Sequence, residues 1–204
     1  DFGLKINYDF VVDSDCGRIR VTQDQGFVQF QTDIPFPYIP IIRNFSSHVI
    51  TKGLNAISLQ FASSITNVKT TSAYTYTPLA KSSSVSGIQN VPVFFNINKT
   101  WTPKHDFNRP NNTVAALLSN EDNNSAIVVI TDADFMEDRS FDSFFLSNTN
   151  FAVNSIEWLA DDSGLIKLRN KYIVNQTLEV VSDSYRRFLK YSNFFLPILL
   201  VLLI

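Results

Sequence analysis

Short apolar runs, each closed by polar or turn-forming residues, fill most of the chain and predict strands. Residues 9–13 (DFVVD) are apolar between two acidic ends. Residues 18–22 and 27–31 flank Gln23, Asp24, Gln25 and Gly26, a turn in which glycine supplies a positive φ. They predict a hairpin whose imperfect alternation suits the edge of a sheet. Between 34 and 40, Pro35, Pro37 and Pro40 alternate with aromatic and aliphatic residues. Proline fixes φ and lacks an amide donor, so this stretch predicts an extended connector packed by its rings, with a proline-rich partner motif as the alternative.

Residues 55–63 alternate apolar and polar, the mark of a half-buried strand. Residues 81–87 (KSSSVSG) predict a mobile loop, and residues 91–97 another strand with Pro92 near its start. The strongest core strands are 113–118 and 126–130, joined by a polar turn. Residues 150–160 give the best helix, capped by Asn148 or Asn150, covered by Phe151, Ile156, Trp158 and Leu159, and ended by residues 162–164. A short strand at 165–169 and a second helix at 177–191 follow.

The tail breaks this pattern. Phe194, Phe195, Leu196, Pro197, Ile198, Leu199, Leu200, Val201, Leu202, Leu203 and Ile204 carry no polar side chain. As a helix they extend about 16 Å, roughly half of a hydrocarbon core. A buried core helix of this length is the alternative, but the run is apolar all round, so the expectation is the start of a membrane-spanning helix. Pro197 falls in its first turn, where a missing amide is tolerated. Residues 1–185 are then one soluble domain, and residues 186–204 a juxtamembrane segment and membrane anchor. Arg186, Arg187 and Lys190 precede the anchor, and the positive-inside rule taken alone puts the domain on the cytoplasmic side.

Composition narrows the function classes. The chain has 204 residues and a formal net charge of −2, with no Lys/Arg block longer than a pair. A nucleic-acid partner is not expected, because reading a phosphate backbone needs a concentrated positive face. The single cysteine, Cys16, forbids an intramolecular disulfide and lacks the strand–turn–helix setting of a nucleophile. His48 and His105 are isolated, without metal-ligand spacing. Asp132 and Asp134 are the candidate ligand-binding pair. They close the apolar run 127–130, and a D-x-D at a strand end can hold a divalent cation or act as an acid–base pair. Turn capping is the plainer role for aspartate there. No Gly-rich phosphate loop occurs, no cofactor is expected, and any ATP use falls to a partner.

Several segments occur in an order that resembles a known family. They are residues 9–13 with Cys16, 35–40, 48–54 followed by 61–65, 131–135, and the block 150–166, NFAVNSIEWLADDSGLI. Together they resemble the gliding-motility-associated ABC transporter auxiliary (GldG) family of Bacteroidetes-type bacteria. The resemblance implies an α/β layered sheet related to the class I glutamine-amidotransferase-like fold, present here as the C-terminal part of a longer domain. It implies a soluble domain in the periplasm, an inner-membrane anchor, and ABC permease and ATPase subunits as partners. It brings no catalytic residues.

The expected function is therefore a non-enzymatic, substrate-binding-like auxiliary subunit with an unknown ligand. The alternatives are a hydrolase using Asp132 and Asp134, and a surface scaffold module.

Overall fold

A computed structural model describes residues 2–25, 28–68, 73–120, 122–137, 144–160 and 187–195. The chain divides into two compact units, Asp1–Ile173 and Val174–Ile204. The expected strand at 165–169, the helix stop at 162–164 and residues 196–204 of the anchor lie outside the described residues.

The first unit is rich in sheet, an α/β arrangement with few helices. In chain order the strands are β1 (Leu4–Ile6), β2 (Asp9–Asp13), β3 (Cys16–Gln25), β4 (Val28–Ile42), β5 (Asn44–Phe45), β6 (Ile57–Ser58), β7 (Ile65–Asn67), β8 (Thr75–Lys81), β9 (Ser86–Asn90), β10 (Thr113–Asn120) and β11 (Ser125–Ile130). A one-turn helix α1 (Pro103–Asp106) precedes β10, and α2 (Phe145–Ala160) follows β11. Among the described residues they form a six-stranded sheet ordered β1-β7-β10-β8-β5 with β11 beside β10, a pair β2-β9, and a three-stranded sheet β3-β4-β6. Every pairing among them is antiparallel.

The two strands predicted most firmly form the centre of the large sheet. Residues 114–118 of β10 are buried on both faces, which explains their unbroken apolar run. Val114 and Leu117 join Val11, Ile42, Ile50, Ile57, Leu59, Leu79 and Phe151 in one core. Helix α2 closes this core with Phe151, which is fully buried. The helix starts five residues earlier than its sequence pattern suggests, so Asn148 lies inside it and caps nothing. The Asn148 side chain instead binds the β6 backbone, accepting from Ser58 N at 3.0 Å and donating to Ser58 O at 2.8 Å. Its Nδ2 also donates to Phe135 O at 2.8 Å. The buried residues are Asn148, Phe151, Ala152, Asn154 and Ser155, and they leave Ile156 and Leu159 exposed rather than covering the core.

Three loop expectations change. The proline-rich stretch is not a connector but part of β4. It opposes a register break on β3, where Arg18 pairs with Pro35 but Cys16 pairs with Pro40. A bulge of that size removes the amide demand that prolines cannot meet. Gly17 sits against it, since a Cβ there would lie 2.8 Å from Ile39 Cγ2. Residues 81–87 form an ordered turn, not a mobile loop. Ser82 and Ser86 are fully buried and share a 2.7 Å hydrogen bond, while Asn112 N donates to Ser82 Oγ at 2.8 Å. Residues 91–97 form no strand, because β9 ends at Asn90 and Pro92 offers no donor to extend the ladder.

In the second unit, residues 187–195 are helical, which agrees with the later part of the predicted second helix. Tyr191 and Phe195 stack one turn apart, with ring centroids at 6.5 Å. Among the described residues no helix is long and apolar enough to cross a membrane, and the helix 187–195 reaches only Phe194 and Phe195 of the expected anchor.

Gly87 offers a direct test of the packing between β9 and α1. A Cβ added there would fall well inside van der Waals contact distance of the Asp106 carbonyl oxygen, a backbone atom that cannot turn aside. Gly87→Ala is expected to destabilise the protein by about 1–3 kcal/mol, read as a lower urea midpoint at an unchanged m-value.

Candidate functional site

Of the D-x-D pair, Asp132 is buried and Asp134 is exposed. Both oxygens of Asp132 accept backbone amides: Oδ2 from Gln60 N at 2.6 Å and Oδ1 from Asp134 N at 2.9 Å. The Asp134 carbonyl accepts from Glu137 N at 2.9 Å. This geometry ties the turn after β11 to the segment after β6. Among the described residues no three His, Cys, Asp or Glu side chains gather closely enough to hold a metal ion.

The other candidates are equally tied into the fold. Burial pushes the Cys16 thiol above its ordinary range, and Asp13 and Asp15 add to the effect, so the reactive thiolate is disfavoured. His48 Nδ1 accepts from Ile50 N at 3.2 Å and caps the short 3-10 turn Val49–Thr51. Burial holds its pKa below the usual histidine range. His105 is exposed.

What the fold does assemble is an aromatic face. Its hub is Tyr38, only 3% exposed, whose ring lies 4.9 Å from Phe95, 5.2 Å from Phe36 and 5.4 Å from Trp101. Phe10 of β2 and Phe61 close around it at 6.2 and 6.3 Å. Phe107 stacks on the far side of Trp101 at 5.8 Å. Most of these contacts are edge-on or tilted, the arrangement that the ring quadrupole favours.

Local backbone geometry explains why these rings meet. Phe36 and Tyr38 lie two residues apart in the bulged part of β4, so they share a face. Phe61 stands where the chain changes partners. Leu59 N and Phe61 N still donate to β4, at Pro40 O and Tyr38 O, but Ala62 O accepts from Val11 N of β2. The switch is made with Phe61 at φ 53°, a left-handed conformation that is unusual for a bulky residue. Asp9 holds the segment beyond the kink, accepting from Ser64 N at 2.8 Å and Ser64 Oγ at 2.6 Å.

The loop carrying Phe95 and Trp101 is clamped at its base by Asp106. Its Oδ2 accepts from Thr102 N at 2.8 Å and from Thr102 Oγ1 at 3.1 Å, and Oδ1 pairs with Lys99 Nζ at 2.7 Å. Lys99 also lies 4.0 Å above the Trp101 ring. Burial alone would raise the Asp106 pKa, but Lys99 and the Thr102 donors outweigh it and hold the carboxyl at about 2. Beyond the clamp the rings emerge into solvent: Phe95 is 48% exposed, Phe61 39% and Phe94 95%. Sequence reading recognised the ring packing of residues 34–40 but missed Phe61 and Phe95, which have no shared spacing. The Phe-Phe pair before Asn96 was the one available hint.

Two measurements test this description. A left-handed backbone costs about 1–2 kcal/mol at a bulky residue, close to what a half-exposed ring returns in contacts. Phe61→Asn, which tolerates that backbone, is therefore expected to change unfolding free energy by less than about 1 kcal/mol. Tyr38→Ala is expected to cost about 3–5 kcal/mol. The second concerns acid. Because the folded Asp106 pKa of about 2 lies below the ordinary 3.8, its stabilisation is complete above pH 3.8 and lost as pH falls through about 2. Acid titrations of Asp106→Asn followed by circular dichroism are expected to lack that component, worth roughly 2 kcal/mol in the wild type.

A search of curated proteins returns no match to the chain. Residues 1–160 match the family described as "ABC-type uncharacterized transport system", and the chain accordingly belongs to this family of auxiliary components of ABC-type transport systems.

Proposed function

We propose that the protein is a membrane-anchored auxiliary subunit that works by binding, not by making or breaking bonds, in a transporter of the gliding-motility-associated (GldG) type. In this reading the first unit lies in the periplasm, and Phe194 to Ile204 belong to an inner-membrane helix. The partners are an ABC permease and its ATPase. The observation that carries the binding role is the aromatic face. It places Phe61 and Phe95 partly in solvent around a buried tyrosine, with Phe61 in a left-handed backbone conformation. Strain spent on presenting an apolar ring is more often found at contact sites than in cores. By contrast, the Asp132 carboxylate is committed to two backbone amides, which lowers the case for a hydrolase built on Asp132 and Asp134.

The proposal includes a relation of the sheet to the class I glutamine-amidotransferase-like layer. Its support is the sequence resemblance; among the described residues β11 pairs with β10 alone.

The deciding experiment is affinity isolation of the tagged full-length protein from its native membranes. Permease and ATPase subunits are expected to co-purify, and transport is expected to survive Asp134→Asn. Isolation without either subunit, or loss of transport in Asp134→Asn at normal protein levels, overturns the reading.

A further inference from the structure

The exposed end of the aromatic face is the loop of residues 91–102, which presents large apolar side chains to solvent. Phe94 is 95% exposed, Phe95 48% and Ile97 47%, so three large apolar side chains reach solvent within four residues. They do not belong to a collapsing, loosely held segment. The clamp of Asp106 on Lys99 and Thr102, and the seating of Trp101 against Tyr38 and Phe107, fix the base of the loop and hold its tip out. The exposed rings are phenylalanines, which have no hydrogen-bonding group with which to read a sugar or a polar ligand.

Charge gives the second observation. Between residues 91 and 112 the chain has three cations, Lys99, Lys104 and Arg109, and one carboxylate, Asp106. That carboxylate is buried and already paired. This segment therefore carries a positive formal charge, whereas the whole chain carries a net charge of −2. Exposed apolar rings, an indole at the base of the loop and cations in the same segment are the chemistry that a bilayer interface meets: acyl chains, interface and phosphate.

We propose that this loop is a lipid-interface contact, in which Phe94 and Phe95 enter a phospholipid bilayer containing anionic lipid while Lys104 and Arg109 meet its phosphates. The inference rests on reading the aromatic face as a contact surface and names its occupant. On the membrane-anchored reading proposed above, a high local lipid concentration supports even weak insertion of two rings. Two signals together give firmer membrane attachment than one, the logic of dual anchors generally.

The test uses the full chain with Cys16→Ser, reconstituted in vesicles of phosphatidylethanolamine and phosphatidylglycerol. A nitroxide is placed at Asn98→Cys or, as a control in the polar β10–β11 turn, at Asp122→Cys. Collision with dissolved oxygen, which concentrates in lipid, is compared with collision with a water-soluble nickel chelate. The expected result is an oxygen-to-nickel accessibility ratio several-fold higher at position 98 than at 122. The difference is expected to vanish in Phe94→Ser/Phe95→Ser and to shrink in Lys104→Glu/Arg109→Glu. Equal ratios at the two positions overturn the proposal. So does a label at 98 that is shielded from both reagents, which would mean a protein occupant. Isolation of the permease is independent of this result: recovery of the permease with equal ratios removes the lipid contact and keeps the auxiliary subunit, and the converse pair of results does the opposite.

Discussion

Every buried backbone amide needs a hydrogen-bond partner, and an unpaired one costs as much as several good contacts contribute. This constraint is severe here because β5 and β6 have two residues each and β1 and β7 three. Ladders this short leave many amides unserved, and side chains serve them instead. Asp9 takes the Ser64 amide, Asp13 those of Ser83 and Asp15, Asp132 those of Gln60 and Asp134, and Asp106 that of Thr102. Asn148 does the same from a helix, offering Ser58 a donor and an acceptor much as a neighbouring strand would. A carboxylate is suited to the task because its two oxygens can accept several donors at once, and bonds to a charged acceptor are stronger than neutral ones. Burial of Asp13 raises its pKa despite its Ser83 and Asp15 donors, which shows the desolvation that such an arrangement must overcome.

Because side chains close the hydrogen-bonding account, the backbone is free to leave regular geometry where the aromatic face is built. The bulge in β4 turns Phe36 and Tyr38 toward Phe10, and the partner switch at Phe61 adds a ring from a segment that belongs to neither sheet. Asp9 and Asp132 flank this switch, one binding Ser64 and the other Gln60. The same economy operates in the loop behind the face, where one buried carboxylate, Asp106, organises Lys99, Thr102 and thereby Trp101. Site and scaffold are thus made from one device, and the aromatic face is as rigid as the buried aspartates beneath it.

This device also decides what could be read in the sequence. Strands β2, β10 and β11 were legible because apolar runs bounded by polar residues need only local information. The β3–β4 pairing was legible for the same reason, although the ladder runs on to Gln25 and Val28. Helix α2 was recognised, but its start was misplaced because Asn148 was taken for a cap when its partner lies 90 residues away in β6. The serines of 82–86 suggested mobility because polarity normally means solvent. Here Ser82 and Ser86 are buried and bonded to Asn112, and Asp13 holds Ser83, partners distant in sequence. The aromatic face failed for a similar reason: Tyr38, Phe61 and Phe95 come from three segments, and no periodicity joins them.

Asp132 makes the point most sharply, because its sequence context suits two opposite roles. An aspartate just after a buried strand is placed where ligands often bind and where turns must be capped. Which role it takes depends on how many of its lone pairs remain after the backbone has been served. Asp132 gives one oxygen to Gln60 and the other to Asp134 in a buried setting, so its carboxylate serves the two backbone amides that fix the turn after β11. A ring such as Phe94 is in the reverse position. It is almost fully exposed, while Asp106 holds the base of its loop through Lys99 and Thr102. In a chain whose buried acids are spent on backbone, the residues left over for contact are the apolar ones that the fold holds out to solvent.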